Sequence, residues 1–167
     1  VFVFFAGAGA AKFVADYAAA GLKNSIPLYG PGFLTDGNLG AMGGAGEGLL
    51  TTLHYADGLT NAKDAAFRTK YAKTYKLQPD VYAVQGYDAA QMYEAGLKAA
   101  GGDPEKQEEI IKGMESAKID SPRGAFTLSK AHNPVQDIYM RQVKGDQNVM
   151  LEVVSKGLED PARGCKM

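Results

Sequence analysis

The residues of this chain that could do chemistry are few and widely spaced. It has two histidines and one cysteine. His54 stands at the end of the apolar run GLLTTLHY and could act as a base or a ligand. With no second histidine or cysteine nearby to build a metal site, a structural role is expected for it. His132 lies in a turn beside Asn133-Pro134, with the same expectation. Cys165 is close to the C-terminus and has no partner for an internal disulfide, so cysteine usage leaves the compartment open. Asp36, Asp57, Asp120 and Asp137 are scattered over turns and strand edges, where solvated carboxylates are usual. The sequence holds no GxSxG, HExxH, CxxC or P-loop pattern. Gly7-Ala8-Gly9 begins like a dinucleotide fingerprint, but Lys12 stands where the third glycine belongs and no acid follows a second strand at the right distance. These residues point to neither an enzyme, a cofactor nor a metal. What remains is binding, at two loops of small residues, Ala6–Gly9 and Gly32–Asp36. Both follow predicted strands, at the carboxyl ends where ligands of open α/β sheets sit.

The elements that must position these loops read clearly. Val1–Phe5 is a run of β-branched and aromatic residues ended by a small-residue turn, and predicts a buried parallel strand. Phe13, Val14, Tyr17 and Ala18 fall at helical spacing, with Gly21 as a C-terminal cap. Ile26–Tyr29 predicts a second strand, with Pro27 tolerated near its start. Gly30–Gly37 is a loop in which Phe33 and Leu34 either plug the core or, for Phe33, wall a ligand cleft. A short helix around Leu39–Met42 precedes a third strand, Gly48–Tyr55. Ala62–Tyr75 is an amphipathic helix capped by Thr60 or Asn61, with a stripe of Ala66, Phe67, Tyr71, Ala72 and Tyr75. Val81–Ala100 is a second helix, whose small residues Gly86, Ala89, Ala90 and Gly96 suggest close packing. Asp103-Pro104 opens a third, through Lys106–Ala117, with Asp103 as cap and Ile110, Ile111 and Met114 inward. Val135–Val143 alternates as a half-exposed strand, Lys144–Gln147 turns, and Asn148–Val154 returns. The tail, Ser155–Met167, has no periodicity and is expected to pack poorly.

The bulk properties fit a soluble α/β domain. At 167 residues the chain is long enough for a real core, and its net charge of −1 argues against nucleic acid as a partner. No apolar run approaches the ~20 residues of a membrane helix. The chain starts inside a strand and without Met, so it is expected to be a piece of a longer chain, whose missing part would carry any targeting segment.

The two loops, together with the segments after them, resemble a known family. FFAGAGAAKFVADYAAAGLKNSIPLYGPGFLTDG, EGLLTTLHYA, YAVQGYDAAQMYEAGLKAAGG and SPRGAFTLSKAHNPVQDIYMRQV occur in the order seen in the C-terminal half of type I periplasmic substrate-binding proteins, the receptors of branched-chain amino acid ABC transporters. The resemblance implies an α/β fold in which two lobes close over a ligand. Residues 1–54 would belong to the second lobe and 55–136 to the helical segment of the first. Residues 137–167 would be the return crossing, hairpin and tail. It implies a periplasmic or lipid-anchored extracytoplasmic location and a membrane permease as partner. A companion fragment or a second copy would complete the fold.

The resemblance also bears on the ligand. Amino-acid-binding members hold the α-ammonium with an acid in the loop after the second strand, where this chain has Gly32 followed by Phe33. A tyrosine of the first loop is replaced by a small residue, around Ala8. An ammonium buried without a carboxylate costs about 2–5 kcal/mol. A carboxylate without an ammonium, aromatic and benzoate- or cinnamate-like, is therefore expected, with Phe5, Ala6, Gly7, Ala8, Gly32, Phe33 and Tyr82 as ligand-binding residues. Asp36, four residues beyond Gly32, is the eighth candidate and the one that could restore an ammonium contact. The alternative is a branched-chain or other amino-acid binding or sensing domain of the same fold.

Overall fold

The computed structural model describes residues 1–164, so Cys165 lies outside the described residues. The chain forms two compact units, Val1–Leu59 with Ile138–Ser155, and Thr60–Asp137 with the stretch from Lys156 onward.

In the first unit, helix α1 (Gly7–Ala19) packs on a small sheet. Strand β1 (Tyr29–Pro31) pairs in parallel with β2 (Leu50–Leu53), in register Tyr29 to Leu50. Strand β2 pairs antiparallel with β4 (Pro134–Lys144), Leu50 opposite Gln142, and β4 pairs with β5 (Gln147–Leu158). Helix α2 (Leu39–Met42) is a single turn. The core is apolar: Ala10, Val14 and Tyr17 of α1 meet Leu28, Leu34, Met42, Leu49 and Val143.

Val1–Phe5 corrects the expected buried strand. Phe2 does pair in parallel with Tyr29, and Tyr29 N donates to Val1 O at 2.9 Å. The segment is nonetheless at an edge, with a neighbour on one side only, so Phe2 and Phe4 are 72% and 67% exposed while Val3 reaches the core. The helix also starts earlier than the spacing predicts. Gly7, at φ 60°, opens it, and Ala6 stands at its N-cap. Ala8 and Gly9 are therefore first-turn helix residues rather than a turn.

In the second unit, α3 (Ala62–Tyr75), α4 (Val81–Ala99) and α5 (Gln107–Glu115) stand beside a short strand β3 (Thr127–Leu128), which pairs antiparallel with the start of β4. Asn61 caps α3, its Oδ1 accepting from Asp64 N at 2.8 Å. Asp80 caps α4 in the same way through Ala83 N. Asp103 does not cap α5: its carboxylate accepts from Glu105 N in a preceding turn, and Lys106 holds the N-cap position. Ile110 is buried but Ile111 is half exposed, because consecutive helical residues point about 100° apart. Of the small residues read as packing sites on α4, Gly96 is one. A Cβ there would lie 2.7 Å from Ile110 O, whereas Gly86 is exposed with nothing within 4 Å. The sheet also continues into the expected tail, since β5 runs to Leu158.

Candidate functional site

The candidate site is built from the carboxyl ends of two extended segments and the N-terminus of α1. After Phe5 the chain turns directly into α1, whose N-cap, Ala6, makes no side-chain cap. No acidic residue lies in its first turn. The N-terminal N–H groups of a helix carry partial positive charge, so this end favours an anion and disfavours a cation. After Pro31 the chain makes a tight 3-10 turn, Gly32–Leu34, in which Thr35 N and Asp36 N both return to Gly32 O. Leu34, fully buried, drives this turn into the core.

Aromatic contacts bring the two loops together. Phe4 meets Phe33 edge to face, ring centres 6.0 Å apart, and Phe5 stacks on Phe13 at 4.8 Å. Alternation along an extended segment sends Phe4 and Phe5 to opposite faces. Phe4, not singled out in the sequence, is thus the residue that meets Phe33; period-two alternation was the signal for it. Leu34 plugs the core, leaving Phe33 half-buried beside Phe4.

Asp36 departs most from expectation. Instead of a solvated turn carboxylate it is 5% exposed and forms a two-pronged ion pair with Arg141 of β4. Arg141 Nη2 donates to Oδ2 at 2.6 Å and Nη1 to Oδ1 at 3.3 Å. The fully buried guanidinium also donates to Tyr55 O at 3.0 Å and, through Nε and Nη2, to Thr51 Oγ1 at 3.2 and 3.0 Å. A longer bond of 3.4 Å runs from Nη2 to Thr35 Oγ1. A charge removed from water needs partners on all its donors, and this one has them. Asp36 is thereby occupied from beneath the loop. Arg141 shares strand parity with Tyr139 and Val143, both buried, and that alternation was its only sequence signal.

Gly32 lies directly over this network. A Cβ at Gly32 would stand 2.6 Å from Leu53 Cδ2 and 2.7 Å from Arg141 Nη2, so a side chain there requires those neighbours to shift. Tyr82 belongs to the other unit, in the first turn of α4, and is 46% exposed. A shallow cavity of about 270 Å³ opens at the opposite, amino-terminal ends of β1 and β2, beside Lys23 and Glu47.

The remaining titratable candidates have structural partners. Asp57 accepts from Asn148 N, Asp137 from Gly157 N, and Asp120 pairs with Lys63 at 2.7 Å. His132 meets Glu115 at 2.7 Å on the surface, and His54 is half-buried after β2. In the second unit Asp88 is buried and accepts from Ser121 Oγ at 2.8 Å and Arg123 Nε at 2.9 Å, while its Oδ1 has no hydrogen-bond partner. Burial pushes its carboxyl above the ordinary range, against the opposing pull of Ser121 and Arg123. No cluster of three metal-ligating side chains occurs among the described residues. Nor is any helix among them long and apolar enough to cross a membrane.

Residues 1–148 match the family model of periplasmic binding proteins. The whole chain superposes on a benzoate-bound solute-binding protein of an ABC transporter from R. palustris, at 51% identity and TM-score 0.93, over 46% of that chain. It also superposes on one from Rhodopseudomonas palustris BisB5 in complex with 3,4-dihydroxybenzoic acid, at 30% identity and TM-score 0.83, over 97% of this chain and 46% of that one. A leucine-binding protein from Thermotoga maritima MSB8, at 20% identity and TM-score 0.75, covers 91% of this chain and 43% of its own and shares the fold. No curated protein sequence matches the chain. The chain spans less than half the length of these solved relatives. By the family match and by identity over its full length, this chain belongs to the periplasmic binding proteins.

Proposed function

We propose that this chain is part of an extracytoplasmic solute receptor of an ABC importer, and that its ligand is a small aromatic carboxylate of the benzoate type. The observation that carries the reading is the state of Asp36. It is the acid of the Gly30–Gly37 loop, and Arg141 holds both its oxygens. An amino acid ligand would bring an ammonium to a loop with no carboxylate to receive it. It would also meet the N-terminus of α1, where a cation is disfavoured. An aromatic acid brings neither problem. Its ring suits the apolar surface of Phe4 and Phe33, with Phe5 on the other face against Phe13, and the close approach allowed by Ala6, Gly7, Ala8 and Gly32. The benzoate and dihydroxybenzoate ligands of the two R. palustris relatives support the same class. Tyr82 joins the proposed ligand set on the family resemblance alone. The reading carries with it a periplasmic location and a membrane permease as partner.

The test is thermal stabilisation of the natural protein carrying this sequence by benzoate and cinnamate beside leucine, isoleucine and valine. A ligand at 100 times its dissociation constant adds about 2.7 kcal/mol, which is visible in a melting curve. Shifts with the aromatic acids alone are expected. Shifts with the amino acids alone overturn the ligand class and favour the amino-acid receptor.

A further inference from the structure

We infer that Arg141 is a specificity-determining residue of this receptor, fixing the charge of the ligand loop from beneath it. The inference rests on the proposed binding function and deepens it. Two positions in the Gly32–Asp36 turn could present a negative charge to a ligand, and Arg141 closes both. Its guanidinium grips Asp36 by two nitrogens, at 2.6 and 3.3 Å, turning that carboxylate inward and cancelling its charge. The same Nη2 lies 2.7 Å from where a Cβ of residue 32 would be, so with Leu53 it disfavours a side chain at that position, acidic ones included.

The geometry depends on arginine in particular. A planar fork can hold a carboxylate with one edge and still reach Thr51 Oγ1 and Tyr55 O with the rest. Lysine has the charge, but its three donors sit on one nitrogen and lack the planar fork that spans Asp36, Thr51 and Tyr55 together. Thr51 and Tyr55 anchor the guanidinium to β2 and the residues just after it. With the pair neutral, the remaining partial charge at the site is the positive one at the start of α1. Arg141 contributes to selection without touching the ligand; it is a positioning residue.

The experiment is calorimetric titration of the natural protein at pH 8 with benzoate and with L-leucine, in wild type, Arg141→Gln and Asp36→Asn, each checked for native circular dichroism. Arg141→Gln removes the cation that holds the Asp36 carboxyl and leaves it without that partner. It is expected to weaken benzoate and strengthen leucine, moving the ratio of their affinities at least tenfold toward leucine. Asp36→Asn leaves the cation unopposed and is expected to hold or tighten benzoate and to bind no leucine. A purely structural role predicts instead that both variants lose benzoate together, with no change in discrimination; that result overturns the inference. If Arg141→Gln does not fold, Asp36→Asn decides alone, because a loss of benzoate affinity beyond tenfold in a folded protein is incompatible with the inference. Failure of wild type to bind benzoate refutes the proposed ligand class and is read before any variant.

Discussion

Replacing Gly32 with alanine tests the packing beneath the candidate site. The added Cβ lies 2.6 and 2.8 Å from the two methyls of Leu53 and 2.7 Å from Arg141 Nη2. Carbon atoms in ordinary contact sit about 3.5–4.0 Å apart, so each neighbour must retreat by nearly 1 Å. Leu53 is half-buried and can turn, but Arg141 is held at Asp36, Thr51 and Tyr55 and cannot move without stretching a charged hydrogen bond. Overpacking of this kind costs about 1–3 kcal/mol. Alanine recovers about 0.4–1 kcal/mol by restricting the unfolded chain, leaving a net loss of up to about 2.6 kcal/mol and about 1.3 kcal/mol at the midpoints of the two ranges. Gly86→Ala is the matched control: exposed in the middle of α4, with nothing within 4 Å, it should gain up to about 1 kcal/mol from helix propensity. Urea unfolding of both variants beside wild type reads the two signs directly. If Gly32→Ala proves as stable as wild type while Gly86→Ala gains, Arg141 is not pinned as the distances imply.

Two further outcomes are expected. Gly96→Ala should destabilise by about 1–3 kcal/mol despite its helical position, because its Cβ meets the Ile110 carbonyl at 2.7 Å and a backbone atom cannot rotate away; an unchanged urea midpoint would contradict that crossing. Asp88 should add a pH-dependent component to stability. With its folded pKa raised above the ordinary 3.8, its contribution is fully present below that value and lost as pH rises through the raised one. The stability of wild type minus that of Asp88→Asn, from urea midpoints between pH 3 and 7, should fall with rising pH. A difference that grows with pH would mean Arg123 outweighs burial.

Much of this protein was legible in its sequence because much of it is local. The periods of Ala62–Tyr75, Val81–Ala100 and Val135–Val143, and the turn at Lys144–Gln147, depend on neighbours two to four residues away, and those elements formed within a few residues of where the pattern put them. The two candidate loops stood out for the same reason, as small residues following extended runs. The apolar run Val1–Phe5 specified an extended segment and a parallel partner, but not burial, since exposure depends on how many neighbours flank it. Tertiary structure alone decided the state of Asp36. A carboxylate in a glycine-rich turn is ordinarily solvated, and nothing within ten residues of it says otherwise. Its partner stands 105 positions away on an antiparallel strand, and only the register of β2 on β4, with Thr51 opposite Arg141, brings the guanidinium beneath the loop. Sequence supplied the two charges; the sheet decided that they cancel.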